Sequence, residues 1–161
     1  MTPVVTLSAG DTVSFWTRTA DGSIWPDRLQ LRMSLNGAST NVGTLATDVG
    51  DFTTLLVDVN STLTVGGYPE TWTQYSVTLT SAQVPAPTMG RFALRYFVEN
   101  GGPSGDNSNY IGIDTFEYTA AAPTAVSLST LGAQTNSSLL PLAALTLLVA
   151  GAALILRRRI A

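Results

Sequence analysis

The most oxygen-rich segment of the chain is the loop 100–109, NGGPSGDNSN. Asp106, Asn107 and Asn109 lie close together in it, and Ca²⁺ prefers carboxylate, amide and carbonyl oxygens as ligands. The loop lacks the closing glutamate of an EF-hand. Asn, Asp and Gly also fill tight turns for backbone reasons alone. The loop therefore predicts either a structural calcium site or a set of turns.

Asp114 is a further candidate calcium ligand, in the segment 110–118, YIGIDTFEY. On an extended strand it shares a face with two tyrosines and a phenylalanine. A carboxylate buried on that face is costly unless a cation or several donors meet it, and Arg91, Arg95 or Ca²⁺ could do so. If Ile111 and Ile113 form the buried face instead, Asp114 is exposed.

Two aromatic residues in predicted loops are candidate ligand-binding residues. Trp25 lies in SIWPD and Tyr68 in GGYPE, and binding residues collect on loops, where an exposed ring can stack on a sugar. The alternative is that each ring packs against the neighbouring proline. Three other aromatic residues lie on or beside predicted strands, which favours a place in the core: Trp16, Trp72 and Tyr75.

The side chains that enzymes use most are missing. The chain contains no His, no Lys and no Cys, so the usual general bases and activated nucleophiles are absent. Carboxylates remain, but no spacing singles out the pair that a glycosidase needs. Ahead of residue 157, five Arg stand against eleven Asp and Glu, and an acidic domain repels phosphate backbones. The sequence predicts neither an enzyme nor a nucleic-acid-binding protein.

Residues 1–119 have the pattern of strands separated by turns. Apolar and polar residues alternate in 28–35 and in 73–80, as in strands with one buried face. The segment 91–98 is apolar on both faces, which is typical of a strand in the middle of a sheet. Further strands are predicted at 12–18, 52–59 and 110–118. The fold class is therefore all-β, an antiparallel sandwich of two layers.

The C-terminal part has a different composition. A charge-free linker rich in Ala, Ser and Thr occupies 120–138 and leads into the apolar run 139–156. At ~1.5 Å per residue this run is about 27 Å long, close to the ~30 Å hydrocarbon core of a bilayer. Arginines in the tail 157–161 predict that the tail is cytoplasmic and that residues 1–119 lie outside. The residues that define this predicted single-pass membrane anchor are Leu139, Pro141, Leu148, Leu156, Arg157, Arg158 and Arg159.

Five blocks of the first 119 residues resemble one known family. They are LSAGDTVSFWTRT at 7–19, RLQLRMSLNG at 28–37, GGYPETWTQYSVTL at 66–79, GRFALRYFV at 90–98 and SNYIGID at 108–114. In order and spacing they resemble the choice-of-anchor J domain, a bacterial surface module related to the cleaved adhesin domain. The resemblance implies a jelly-roll β-sandwich, like many carbohydrate-binding modules, and modules of this kind often hold a structural Ca²⁺.

The same resemblance bears on both ends of the chain. Members of the family end in different C-terminal anchoring signals, so an exosortase-like sorting enzyme is an expected partner. No Pro-Glu-Pro or Ile-Pro-Thr-Leu motif precedes the apolar run, and simple membrane retention is the default. Members also carry a signal peptide and further strands before the block that matches residues 3–19. We therefore expect an N-terminal truncation and a sandwich that is incomplete there.

Together these features predict a non-catalytic display or adhesion module of the bacterial cell envelope, retained by its anchor or released after C-terminal processing. Its expected ligand is a glycan, a matrix component or another surface protein. The alternatives are a structural spacer without a specific ligand and an accessory module of an extracellular glycan-degrading enzyme.

Overall fold

The computed structural model describes residues 1–101, 107 and 109–122 of the chain, and its first compact unit runs from Met1 to Ala122. The described residues form strands, turns and irregular segments, with no helix among them. The strands are β1 (Val5–Leu7), β2 (Thr12–Thr19), β3 (Leu29–Ser34), β4 (Thr54–Val59), β5 (Thr73–Thr78), β6 (Thr88–Tyr96) and β7 (Ile111–Thr119).

These strands form two antiparallel sheets. The four-stranded sheet has the order β1-β6-β3-β4, and the three-stranded sheet has the order β5-β2-β7. β6 lies inside its sheet, as its apolar residues on both faces predict. The all-β sandwich of two antiparallel layers is confirmed.

The hydrophobic core contains residues from both sheets. Phe15 of β2 and Phe92 of β6 are fully buried in it, together with Leu31 of β3. Phe15 stacks on Tyr75 of β5 with ring centroids 5.7 Å apart, and such pairs contribute roughly 0.5–1.5 kcal/mol beyond their buried area. The inward face predicted for β5 is therefore confirmed.

β1 is the strand that the sequence pattern does not predict. It has only three residues and pairs with β6 from Val5 opposite Gly90 to Leu7 opposite Thr88. Alternation over so short a segment carries little information, because a periodic signal needs four or more residues. Leu7 is nevertheless fully buried, which gives β1 its place beside β6.

A β-bulge settles which face of β7 is buried. Two residues of β7, Thr115 and Phe116, lie opposite the single residue Phe15 of β2, and Thr115 has a φ of 47°. An extra residue in a strand exchanges its two faces. Ile111 therefore packs against the core before the bulge, and Phe116 packs against it afterwards.

The outer face of the four-stranded sheet is more covered than a solvent-facing surface. The polar residues of β3 were predicted to alternate away from the core, yet Gln30 is 3% exposed and Ser34 is 1% exposed. The connection 35–53 between β3 and β4 contacts this face: Arg32 donates to the carbonyl of Phe52, and Arg95 donates to the carbonyl of Ala46. Arg32 and Arg95 thus bind the connection to this face of the sheet.

The predicted membrane anchor lies outside the described residues, as does the linker beyond residue 122. Within the part of the chain that the structure describes, no helix is long and apolar enough to cross a bilayer. The anchor at Leu139–Leu156 and its arginine tail therefore stay predictions.

Candidate ligand-binding cleft

An open cleft of about 500 Å³ lies at one end of the three-stranded sheet. All three strands contribute to it near their termini: Trp72 immediately precedes β5, Tyr110 immediately precedes β7, and Arg18 lies at the end of β2. The remaining wall comes from the turn after β2, with Asp21. Two aromatic rings and two charged groups thus line the cleft.

Both rings of the cleft are accessible. Trp72 is 45% exposed and Tyr110 is 73% exposed. Large exposed aromatic residues have an apolar face and a polar edge, and both can contact a ligand that is itself half apolar and half polar. A sugar ring has this character, with C–H groups on its faces and hydroxyl groups around its rim.

Trp72 is supported by the backbone of β7. A Cβ atom added to Gly112 would lie 2.8 Å from Cη2 of the Trp72 indole, closer than carbon atoms can approach. Because glycine has no Cβ, the six-membered ring of the indole can rest directly on this strand. Gly112 is therefore the residue that permits the observed position of Trp72.

Two buried hydroxyl groups support Gly112 from below. Thr17 of β2 is fully buried, and its Oγ1 donates to the carbonyl of Gly112 at 2.7 Å. Since this uses the one hydroxyl hydrogen of Thr17, the hydroxyl of Tyr68 must donate to Thr17 Oγ1, at 2.6 Å. Burial raises the pKa of Tyr68, which keeps it a donor across the physiological range. The platform for Trp72 is thus fixed by a chain of hydrogen bonds.

The charged groups of the cleft leave donors and acceptors for a ligand. The Arg18 Nε donates to the carbonyl of Thr19 at 3.0 Å, while its terminal nitrogens have no hydrogen-bond partner among the residues described. Asp21 is exposed on the opposite turn. A guanidinium donates in a planar fork and a carboxylate accepts. The cleft therefore offers stacking surfaces together with directional polar contacts.

Tyr68 is not the exposed ligand-binding residue that its loop position predicts. It is 2% exposed and belongs to the hydrophobic core, because its hydroxyl finds a buried partner in Thr17. Trp25 is half-buried, and it does not line the cleft. Trp72, which was expected in the core, is the exposed residue. The expectations for Tyr68 and Trp72 are therefore both wrong, in opposite directions.

The candidate calcium ligands are only partly within the described residues. Asp114 is exposed, and its Oδ1 accepts from the backbone N–H of Thr115 at 2.7 Å. Asp106 lies outside the described residues. Calcium ligation by Asp106, Asn107 and Asn109, and by Asp114, therefore stays a prediction.

A buried carboxylate holds the segment that leads into Tyr110. Asp27 is fully buried; Thr19 Oγ1 donates to its Oδ2 at 2.6 Å, and the Tyr96 hydroxyl donates to its Oδ1 at 2.6 Å. The N–H of Asn109 also approaches Oδ1, at 3.4 Å. Burial, followed by the bond to Asp27, raises the pKa of Tyr96. No group of three or more acidic side chains able to hold a metal occurs within residues 1–101, 107 and 109–122.

Comparisons with known proteins add no relative. No family model matches the chain, and no curated protein or solved structure is similar enough to count as a match.

Proposed function

We propose that this chain is a non-catalytic module that binds carbohydrate in the cleft formed by Trp72, Tyr110, Arg18 and Asp21. The observation that carries the proposal is the pair of exposed aromatic rings beside a guanidinium and a carboxylate in one concave site. Ligand sites of small molecules combine apolar walls with a few placed polar groups in this way.

The cellular setting of the module belongs to the same proposal. The apolar run 139–156 and the arginine tail support display outside the cell from a single membrane anchor, retained or cut by a sorting enzyme. The two-sheet sandwich is compatible with a jelly-roll module of the choice-of-anchor J type, which the five sequence blocks resemble. A surface module with such a cleft would serve adhesion or capture of glycans.

The absence of His, Lys and Cys supports a binding role over a catalytic one. On the outer face of the four-stranded sheet, the carboxylate of Asp58 forms an ion pair with Arg28 at 2.6 Å. Burial opposes ionisation of Asp58, but the guanidinium and a hydrogen bond from Gln30 hold its pKa below the usual range, so this carboxylate is a poor general acid.

Screening of the full chain on a glycan array, followed by calorimetric titration of the best ligand, tests the proposal. The chain is kept in a polyoxyethylene detergent, which has no sugar headgroup to compete. Replacement of a central aromatic residue costs about 2 kcal/mol or more, so Trp72→Ala should weaken binding about 30-fold.

Trp25→Ala is the matched control. It removes the same kind of ring at a residue that the sequence predicts to bind a ligand but that lies outside the cleft. It should leave the affinity unchanged. Binding of no glycan by the wild-type chain would favour a structural spacer, and equal loss in both variants would place the site elsewhere.

A further inference from the structure

A second concave site lies on the outer face of the four-stranded sheet. It is a groove of about 440 Å³ between β3, β6 and the connection 35–53. Arg32 and Arg95 line it from the sheet, Tyr96 lines it at the end of β6, and apolar residues of the connection, including Leu45, form the other wall. None of these residues takes part in the aromatic cleft.

Positive charge on this face exceeds negative charge. Arg28, Arg32 and Arg95 share one carboxylate, that of Asp58, which both Nε and Nη2 of Arg28 contact, at 2.8 and 2.6 Å. Arg32 and Arg95 both donate to Oε1 of Gln30, at 2.8 and 3.1 Å, a neutral acceptor between two cations. The domain as a whole is acidic, so this local excess is not a consequence of composition.

Burial and mutual repulsion lower the pKa values of two of these arginines. Burial, and then the charge of Arg95, lowers the pKa of Arg32. Burial, and then the charge of Arg28, lowers the pKa of Arg95. Both remain charged near neutral pH, because the ordinary value for arginine is above ~12. An anion in the groove would relieve the repulsion that half-buried cations exert on each other.

Asp48 supplies one carboxylate to the groove, against the two guanidinium groups of Arg32 and Arg95. Its Oδ2 accepts from the backbone N–H groups of Thr44 and Leu45, at 3.1 and 3.0 Å, within its own connection. Farther along the same face of β6, Arg91 has a buried Nε without an acceptor among the residues described. Buried donors are normally satisfied, so this face has unused capacity to donate.

From these contacts we infer that the groove binds the carboxylate of an acidic sugar, such as a uronic acid unit of a polysaccharide. The guanidinium forks of Arg32 and Arg95 match a carboxylate in charge and in planar geometry. Apolar residues of the connection, including Leu45, form the opposite wall. An apolar wall beside two cations suits a saccharide that is apolar on one face and anionic at its rim.

Calorimetric titration of the full chain, in the same detergent, with trigalacturonate and with its methyl ester tests the inference. The ester keeps the saccharide and removes the charge. The acid should bind at least tenfold more tightly, and its affinity should fall between about 0.1 M and about 1 M NaCl, as the Debye length shortens from ~10 to ~3 Å. Binding of the ester as tightly as the acid would overturn the inference.

Substitutions locate the site. Arg32→Gln and Arg95→Gln should each weaken binding of the acid about tenfold, the size of one charge-assisted hydrogen bond, and Arg95→Lys should weaken it less. Gln74→Glu makes the same change in net charge on exposed β5 of the other sheet and is the matched control. Thermal unfolding of each variant shows whether the connection 35–53 is still held.

Three further results would overturn the inference. Equal loss in Gln74→Glu would show an effect of net charge alone. Equally tight binding of succinate would assign the groove to free carboxylates, and tighter binding of triglutamate would assign it to an acidic peptide. The outcome is independent of the aromatic cleft, since Trp72→Ala leaves the groove intact. A chain that binds neutral glycans but not trigalacturonate would retain the proposed function and lose only this inference.

Discussion

Replacement of Gly112 by alanine should separate ligand binding from folding. The added methyl group would lie 2.8 Å from Cη2 of Trp72, whereas non-bonded carbon atoms rest ~3.5–4.0 Å apart. The indole must therefore move by about 1 Å. It is 45% exposed, so it can tilt towards solvent without disturbing the core.

The effect on stability should be small because two contributions oppose each other. If the tilt exposes ~40 Å² of the indole, it costs about 1 kcal/mol at ~25 cal/mol per Å². Alanine in place of glycine within a strand recovers about 0.5–1 kcal/mol, because it restricts the unfolded chain. We expect the free energy of unfolding to change by less than about 1 kcal/mol. Glycan affinity should fall at least about tenfold, because the stacking surface has moved.

Two measurements check this prediction. The chain has three tryptophans, so Trp16→Phe and Trp25→Phe leave Trp72 as the one emitter. Acrylamide should then quench its fluorescence more strongly in Gly112→Ala than in the parent. Thermal unfolding and glycan titration of the same proteins supply the stability and the affinity.

A double-mutant cycle provides the control. In a Trp72→Ala background no ring remains to clash, so Gly112→Ala should have no further effect on affinity. Unchanged quenching and unchanged affinity in the single variant would refute the support of Trp72 by Gly112. A large loss of stability would instead place the added methyl group in the core.

Three other predictions concern buried polar groups. Tyr68→Phe should lower the free energy of unfolding by about 1–2 kcal/mol in urea titrations, because Thr17 loses its donor; no change would mean that the hydroxyl is not needed. Asp11→Asn should cost about 2–3 kcal/mol, since Asp11 accepts from Ser8 N–H, from Ala121 N–H and from Tyr118, and an effect below 0.5 kcal/mol would contradict this network. Acid should destabilise the fold. Burial opposes ionisation of Asp11, but its three hydrogen bonds lower its pKa overall. Its contribution to the free energy of unfolding is therefore complete above the unfolded pKa of ~3.9 and is lost as pH falls through the lower folded pKa. Unfolding free energies measured from pH 6 to pH 2 check the sign, and Asp11→Asn should flatten the curve.

Six of the seven strands, β2 to β7, lie within a few residues of the predicted segments. β3 and β5 were predictable from alternation, because burial of one face imposes a period of two, and β6 was predictable from apolar residues on both faces. β7 shows the limit. Its pattern is compatible with burial of either face. At the bulge, where Thr115 has a left-handed φ, the buried face changes, so each of the two expectations is correct for part of the strand. Such a bulge depends on pairing with β2, which a local pattern does not contain.

The candidate site was less predictable because it depends on contacts distant in sequence. Tyr68 is buried through a partner 51 positions away, Thr17, and Trp72 rests on Gly112, 40 positions farther along the chain. One local signal was available. A glycine inside an otherwise regular strand often marks a close approach by another group, and Gly112 interrupts YIGID in this way.

The two β-bulges have a consequence for crowding. An unpaired outer strand can recruit a neighbouring molecule into a continuous sheet, which is the first step of aggregation. β7 and β4 are outer strands of their sheets, and each has a bulge, at Thr115–Phe116 and at Leu56. A second chain could therefore pair with only part of either strand. β1, a third outer strand, offers just three residues. The fourth outer strand, β5, pairs with β2 over Thr73–Thr78 without a shift of register, so a second chain could add along its full length. Molecules packed side by side at high density are therefore expected to associate through β5 rather than through the other three outer strands.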